Sequence, residues 1–196
     1  DNLAIGYQAM TTNTAGGQAN VAVGNYALDA LTSGDNNVAV GYDALTANAG
    51  GGQNTAIGMY ALASNTSAAA NNALGYNALG ANTTGTENTA MGHRAGQTYT
   101  TTAGNTGVGF EALKLNTGNY NTAVGVRAQS ASGGAGDNTA FGYEALAGNA
   151  SGGQTVAIGF KALTANTTGV NSIAVGFEAL MGNTTADNNV AIGYRA

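Results

Sequence analysis

Few side chains in this sequence of 196 residues could carry acid–base or nucleophilic chemistry. His93 is the only histidine and there is no cysteine, so neither a Ser-His-Asp triad nor a Cys/His metal set is predicted. His93 stands where neighbouring segments carry Tyr or Phe, and we expect it to be a packed or surface ring.

Three carboxylates recur at a regular spacing. Glu111, Glu144 and Glu178 lie two repeats apart, roughly 10 Å at the spacing of adjacent strands, a separation that would suit a pair of glycosidase carboxylates. Arg127 and Lys161 stand between them, however, and favour a neutralised charge ladder. We therefore predict no catalytic, cofactor-binding or metal-binding residues and no enzymatic activity. A calcium site at Asp35 or Asp187 is a weaker alternative.

The elements that position these side chains are copies of one repeat. A glycine recurs through the whole chain at steps of mostly 17 residues, and we number it position five of a unit that starts at Asn. These glycines are Gly6, Gly24, Gly41, Gly58, Gly75, Gly92, Gly109, Gly125, Gly142, Gly159, Gly176 and Gly193. The sequence therefore predicts one array of twelve units over residues 1–196.

Each unit has the pattern of a strand followed by a turn. Positions one to six alternate Asn, Ala and Gly on one face with Thr or Val, Val or Ile, and Tyr or Phe on the other. A single unit cannot bury its own apolar face, whereas stacked units can. We predict an all-β, parallel β-solenoid (β-roll) of about 50 Å in length, with an Asn ladder at position twelve and a Gly/Ser/Thr/Asn-rich turn.

Position seven indicates the register of stacking. Over seven successive units it alternates in sign, so that opposite charges face each other on adjacent turns if the units stack in register. This structural charge ladder consists of Arg94, Glu111, Arg127, Glu144, Lys161, Glu178 and Arg195.

Aromatic residues are the candidates for a binding surface. Most occupy position six, and Tyr99 lies in an irregular stretch where Gly96 replaces the expected Leu. The candidates are Tyr7, Tyr42, Tyr76, His93, Tyr99, Phe110 and Tyr143. The irregular middle units are interpreted either as tolerated drift or as a local bend or binding patch.

Composition restricts the partners. The net charge is −5 with five basic residues, too few for a phosphate-tracking stripe, so we predict no nucleic acid partner. No apolar run is long enough to cross a bilayer, so we predict no membrane insertion. Neither end shows an atypical capping unit, and we therefore expect a segment of a longer fibre protein or ends that assembly protects.

The unit resembles two families of surface proteins. The stretch Asn171-Ser172-Ile173-Ala174-Val175-Gly176 resembles the head repeats of trimeric autotransporter adhesins, and the fuller N-T-A-V-G-Y-x-A-L-x-x-N-T-T-G pattern looks like phage tail fibre repeats. The resemblance covers essentially the whole chain. It implies a left-handed parallel β-roll in a homotrimer that is extracellular, on a virion tail or a bacterial surface. The extra residues and the recurrent Ala-Leu depart from the adhesin unit, and a short helical turn in each repeat is an alternative.

The principal functional hypothesis is a structural shaft or adhesin segment of a trimeric fibre that attaches to a host glycan or protein. One alternative is a monomeric ice-binding solenoid, suggested by the threonines Thr55, Thr89, Thr106, Thr122 and Thr139. Another is the subunit of a self-assembling extracellular filament. A polysaccharide-cleaving fibre enzyme is disfavoured because the acidic pairs are neutralised.

Overall fold

The computed structural model describes residues 1–13, 15–131 and 133–196. Within them the chain forms twelve strands of three residues each, one in every repeat, at positions two to four. The strands are β1 Leu3–Ile5, β2 Val21–Val23, β3 Val38–Val40, β4 Thr55–Ile57, β5 Asn72–Leu74, β6 Thr89–Met91, β7 Thr106–Val108, β8 Thr122–Val124, β9 Thr139–Phe141, β10 Val156–Ile158, β11 Ile173–Val175 and β12 Val190–Ile192. The strand is therefore shorter than the predicted span of positions one to six, because Gly at position five turns the chain.

The strands form one parallel sheet in sequence order, β1 to β12. Each residue pairs with the same repeat position on the next turn, as Ala56 pairs with Ala73. This arrangement confirms the predicted all-β parallel solenoid. The described residues contain no helix, so the alternative of a short helical turn in each repeat is wrong.

The sheet buries the face that carries small residues. Ala at position three is buried in the inner turns, as in Ala39, whereas its neighbours Val38 and Val40 are only half-buried. Stacking of one chain on itself therefore does not bury the Val/Ile face, contrary to the expectation from the sequence. The turn segment curls back over the alanine side, and the larger side chains are left facing outward.

The core is filled from the turn segment. Ala at position eight and Leu at position nine lie against the strand alanines, and Leu45, Leu62 and Leu146 are fully buried. The turns stack through backbone hydrogen bonds, such as that from the amide of Leu45 to the carbonyl of Ala61 at 3.0 Å. The interior is thus a narrow column of Ala and Leu, and each turn is hydrogen-bonded to its neighbours outside the sheet as well as within it.

A ladder of buried asparagines runs along one corner at position one. Asn37 illustrates it: its backbone amide and its side-chain amide both donate to Oδ1 of Asn20, at 2.8 and 3.0 Å, and the side chain also donates to the carbonyl of Gly51 at 2.9 Å. Position twelve carries a second, sparser ladder, in which Asn65 donates to Asn48 at 3.3 Å. The sequence indicated the second ladder, but the first is more extensive. The first ladder pairs polar groups that burial would otherwise leave unpaired, whereas in the second the buried Oδ1 atoms of Asn82 and Asn166 have no hydrogen-bond partner among the described residues.

The glycine at position five is required by the stacking of backbones. At Gly58 the φ angle is +134°, and a Cβ atom there would lie 2.5 Å from the carbonyl oxygen of Gly75 on the next turn. Side chains rarely adopt this backbone conformation, and the neighbouring atom is backbone that cannot move aside. The recurring glycine therefore marks the closest approach of consecutive turns.

Tyr99 is part of the core, which corrects its prediction as a surface residue. Its side chain is fully buried and fills space beside Gly96, where most other turns have Leu. A Cβ on Gly96 would lie 3.1 Å from the Tyr99 ring. Burial raises the pKa of the Tyr99 hydroxyl. In this irregular turn, the large side chain of Tyr99 at position twelve therefore fills the space that Leu at position nine would occupy.

Gln129 is the second irregularity of the core. It occupies the Leu position, is fully buried, and its Nε2 donates to Oδ1 of Asn121 at 3.0 Å. Its Oε1 is buried without a hydrogen-bond partner among the described residues. Gly96 and Gln129 bracket the turn of 16 residues that follows Gly109. The Gly and the Gln that replace Leu at position nine thus both lie in the middle of the rod.

Candidate functional site

The charged residues of position seven form a ladder along one edge of the rod, in which ion pairs join consecutive members from Arg94 to Lys161 and again Glu178 to Arg195. Arg127 bridges Glu111 and Glu144, with closest N–O distances of 3.5 and 3.8 Å, and Lys161 contacts Glu144 at 3.6 Å. Arg94 lies 3.9 Å from Glu111. At the C-terminal end, Nε of Arg195 donates to Oε2 of Glu178 at 2.7 Å. The structure thus brings the seven predicted ladder residues onto one edge in alternating order.

Glu111 is the most extensively paired carboxylate of this ladder. Lys114 donates a 2.8 Å hydrogen bond to it from the same turn, while Arg94 and Arg127 approach from the two neighbouring turns. The hydrogen bond from Lys114, together with the three nearby cations, lowers the pKa of Glu111 despite its partial burial. Such a carboxylate is suited to structure and not to proton transfer near neutral pH.

Aromatic rings at position six run beside the charges. His93 is stacked between Tyr76 and Phe110, with centroid distances of 5.1 and 5.3 Å. Val126 then interrupts the row, which resumes at Tyr143. The predicted ring positions of Tyr42, Tyr76, Phe110 and Tyr143 are all exposed, and so is that of Tyr7.

Three further aromatics, which were not among the predicted site residues, continue the second stack. Phe160, Phe177 and Tyr194 follow Tyr143 with centroid distances of 5.2, 4.9 and 5.3 Å and nearly parallel planes. They have the same repeat position as the predicted residues, so the periodicity itself was the signal that could have found them.

The N-terminal turns arrange their tyrosines differently. Tyr26 and Tyr60 stand at position seven, between Tyr7, Tyr42 and Tyr76 at position six, so the rings form a zigzag. Successive rings meet edge to face, with centroids 5.6 to 6.1 Å apart. Sequence reasoning overlooked this zigzag because its members alternate between two repeat positions.

The outward face of the sheet carries exposed and half-buried apolar side chains along the rod. It consists of the side chains at positions two and four of every strand, and we call it the strand face. Ile57, Leu74 and Met91 are each about two-fifths exposed on consecutive strands and line a shallow depression together with threonines. Monomeric proteins rarely leave so continuous an apolar surface in water.

Chemistry of other kinds finds little support in the geometry. In residues 1–13, 15–131 and 133–196, no three His, Asp or Glu side chains come together as metal ligands. The same residues include no helix long and apolar enough to cross a bilayer. The absence of metal, cofactor, nucleic acid and enzymatic activity therefore remains a prediction.

Comparison with known proteins adds no further constraint: no protein-family model, no curated protein and no solved structure gives a significant match to this chain. The ladders and the strand face are therefore the features that bear on function.

Proposed function

We propose that this chain is a rod segment of an extracellular fibre, in which three copies associate through their strand faces and present the remaining edges for attachment. The observation that supports the proposal most strongly is the strand face itself. It runs along all twelve strands, and it lies opposite the face that the chain buries within its own core.

The strand face has the chemistry of an interface core. Its members at position four are Val, Ile, Leu, Met and Phe, and its members at position two are mainly Val and Thr. It carries no charged residue on any of the twelve strands. Lasting interfaces are more apolar than transient ones, and a face without charged side chains along its whole length has that composition.

Three copies are favoured by the shape of the rod and by the repeat. Each chain has one apolar face along its length, and three parallel chains around a common axis can bury all three faces with equivalent turns at the same height. The likeness of Asn171–Gly176 to trimeric adhesin repeats favours the same number. A virion tail and a bacterial surface are the settings that fit such a fibre.

The proposal is tested by the mass of the chain in solution. The chain has a mass of 19.1 kDa, and light scattering is expected to give three times this value. The variant Ile57→Asp/Ile158→Asp places charges on the strand face of two strands and should yield monomers with an unchanged circular dichroism spectrum. The control variant Ser67→Asp/Ser151→Asp adds the same charge on exposed turns and should remain trimeric. A wild-type monomer with a stable fold would contradict the proposal.

An ice-binding rod is the second candidate, favoured by one observation. Thr89, Thr106, Thr122 and Thr139 pair directly on four consecutive strands and form a regular row on the strand face. A thermal hysteresis measurement decides between the two functions, because ice binding needs the same face to be free in a monomer. Trimers without hysteresis support the fibre.

End-to-end association gives the third candidate. β1 and β12 each pair on one side only, so each leaves one edge of the sheet open. Electron microscopy at high protein concentration would show filaments if these edges join, and filaments longer than one rod would favour the self-assembling subunit.

A further inference from the structure

We infer that one edge of the C-terminal half binds a linear acidic polysaccharide that carries one negative group for every two sugars. The inference deepens the proposed attachment function by naming a surface and a ligand class. We call this surface the aromatic–cation edge. It consists of the rings Tyr143, Phe160, Phe177 and Tyr194 and the cations Arg127, Lys161 and Arg195.

The rings and the cations of this edge face the same solvent. Nζ of Lys161 lies 5.4 Å from the centroid of the Phe160 ring, and the Arg195 guanidinium lies 5.2 Å from that of Tyr194. Each ring is partly exposed, from 38% at Phe160 to 70% at Tyr194. A polymer lying along the rod would therefore contact both rows at once.

The stacking of the rings determines which part of them a ligand meets. Adjacent planes are within 7° to 15° of parallel, so neighbouring rings cover each other's faces and leave their rims outward. The rim of an aromatic ring carries positive partial charge. The stack is thus apolar and weakly attractive to oxygen atoms, which suits a chain of sugar hydroxyl and carboxylate groups.

The glutamates of the ladder are more shielded than its cations. The side chains of Glu144 and Glu178 are 20% and 15% exposed, whereas those of Arg127, Lys161 and Arg195 are 51%, 36% and 62% exposed. A ligand therefore meets mainly the positive members of the ladder. The chain as a whole is acidic, yet all five of its basic residues lie on this ladder or, as Lys114 does, in contact with it.

The spacing of the cations selects the ligand. Arg127, Lys161 and Arg195 are two turns apart, about 9.6 Å at the usual strand spacing. That distance is close to the length of a disaccharide unit in an extended polysaccharide. A nucleic acid carries a phosphate on every nucleotide, so its intermediate charges would fall opposite Glu144 and Glu178. The charge pattern thus favours a polysaccharide with one acidic group per disaccharide.

The test uses the full chain and a decasaccharide of hyaluronan, which has one carboxylate per disaccharide. Isothermal titration calorimetry at low salt should detect binding that weakens as sodium chloride is added. A chitin oligosaccharide of equal length, which is neutral, should bind at least about tenfold more weakly, because it lacks the charge-assisted hydrogen bonds. Hyaluronan binding no tighter than chitin binding, or absent altogether, would overturn the inference.

Two variants locate the site. Lys161→Gln/Arg195→Gln should weaken hyaluronan binding by about tenfold or more. Ser67→Asp/Ser151→Asp changes the net charge by the same amount elsewhere and should leave binding within about threefold. Equal binding by the first variant and the wild type would place the ligand on another surface, and tighter binding of oligothymidylate than of hyaluronan would indicate a nucleic acid site. Either result overturns the inference.

The outcomes separate this inference from the proposed fibre. If trimers form but do not bind hyaluronan, the proposed fibre stands and the proposed binding at the aromatic–cation edge is wrong. If the chain is a monomer that binds hyaluronan, and Lys161→Gln/Arg195→Gln abolishes the binding, the proposed trimer is wrong and the proposed binding site stands.

Discussion

The two halves of the rod share one backbone but carry different outer ladders. Repeats one to five present a zigzag of tyrosines with rings edge to face, and the ion pairs of the described residues all lie in repeats six to twelve. There the rings stack face to face beside alternating charges. Inside, both halves are built on columns of Ala, Leu and Asn, with Gly96 and Gln129 in the Leu column and Thr155 and Ser172 in the Asn column as substitutions. The fold is thus determined by the inward residues, and the outer edge is free to take different chemistry.

The largest effect should be common to both halves, because it depends on the shared backbone. Gly58→Ala and Gly159→Ala each place a Cβ within 2.5 Å of a carbonyl oxygen on the next turn, at a positive φ. We expect each to lower the free energy of unfolding by more than about 3 kcal/mol, the sum of backbone strain and overpacking. Urea unfolding measures the loss.

Gly182→Ala is the control for this pair, because a Cβ there meets no atom within 4 Å. It should change stability by less than about 0.5 kcal/mol. If Gly58→Ala and Gly159→Ala differed by several kcal/mol, the two halves would not share an equivalent backbone.

The next largest effect should be a gain in stability, from a substitution near the boundary between the halves. Gln129→Leu removes the unpaired Oε1 and restores the consensus residue, while Asn121 Oδ1 still accepts the amide of Asn138. We expect a gain of about 1 kcal/mol, the lower part of the cost of one buried unsatisfied group. Thermal unfolding should show a higher Tm. A lower Tm would mean that the Gln129–Asn121 hydrogen bond outweighs the unsatisfied oxygen.

The charge ladder should contribute less, and only in the C-terminal half. Glu111→Gln removes a carboxylate that contacts three cations and should cost about 1 kcal/mol at pH 7, the upper range for ion pairs near a surface. Because the pKa of Glu111 is lowered, its contribution is present above the ordinary range of glutamate and is lost as the pH falls through the folded-state pKa. Urea unfolding at pH 7 and pH 3 should therefore give a difference from wild type that shrinks in acid.

Glu87→Gln is the matched control for Glu111→Gln, because Glu87 is exposed and makes no ion pair with any described residue. It should have little effect at either pH. A loss for Glu111→Gln that persisted unchanged in acid would attribute the effect to packing and not to charge.

The smallest effect should be a gain in stability in the N-terminal half, in contrast to the loss expected for Glu111→Gln. Burial, and then the neighbouring Asp29, raise the pKa of Asp43 above its ordinary value of 3.8. The raised pKa means that stability falls as the pH rises from that value through the folded-state pKa. Asp43→Asn should stabilise by less than about 0.5 kcal/mol at pH 7 and by nothing in acid. A destabilising effect at pH 7 would show that the carboxylate makes a favourable contact.

The repeat made the parallel solenoid and its register predictable. The glycine at position five recurs at a nearly constant spacing and position seven alternates in sign, so the stacking of equivalent positions and the alternation of opposite charges on adjacent turns followed from the sequence. The sequence did not predict which face of the strands would point outward. Alternation shows that Val38 and Val40 share a face opposite Ala39, but it does not tell on which side the turn segment will fold back.

The sequence did not predict the packing of Tyr99 beside Gly96 or the tyrosine zigzag, for a related reason. Gly96 signalled a missing side chain, yet only the packing shows that Tyr99, three residues later, fills its place. Tyr26 and Tyr60 lie at a position that other repeats give to charges, and their contacts with Tyr42 depend on side-chain direction across turns. Both depend on interactions between neighbours that a single repeat does not contain.

The hydrogen bonds that join consecutive turns have a mechanical consequence for a single chain. They run along the axis of the rod, so a pulling force applied at the two ends opens one turn at a time instead of shearing all turns together. Each released turn of 17 residues would lengthen the chain by about 55 Å, from an extended length of about 3.5 Å per residue less one strand spacing. A single rod would therefore unfold under force in equal, repeated steps. Lateral association of several rods would instead require neighbouring turns to unfold together.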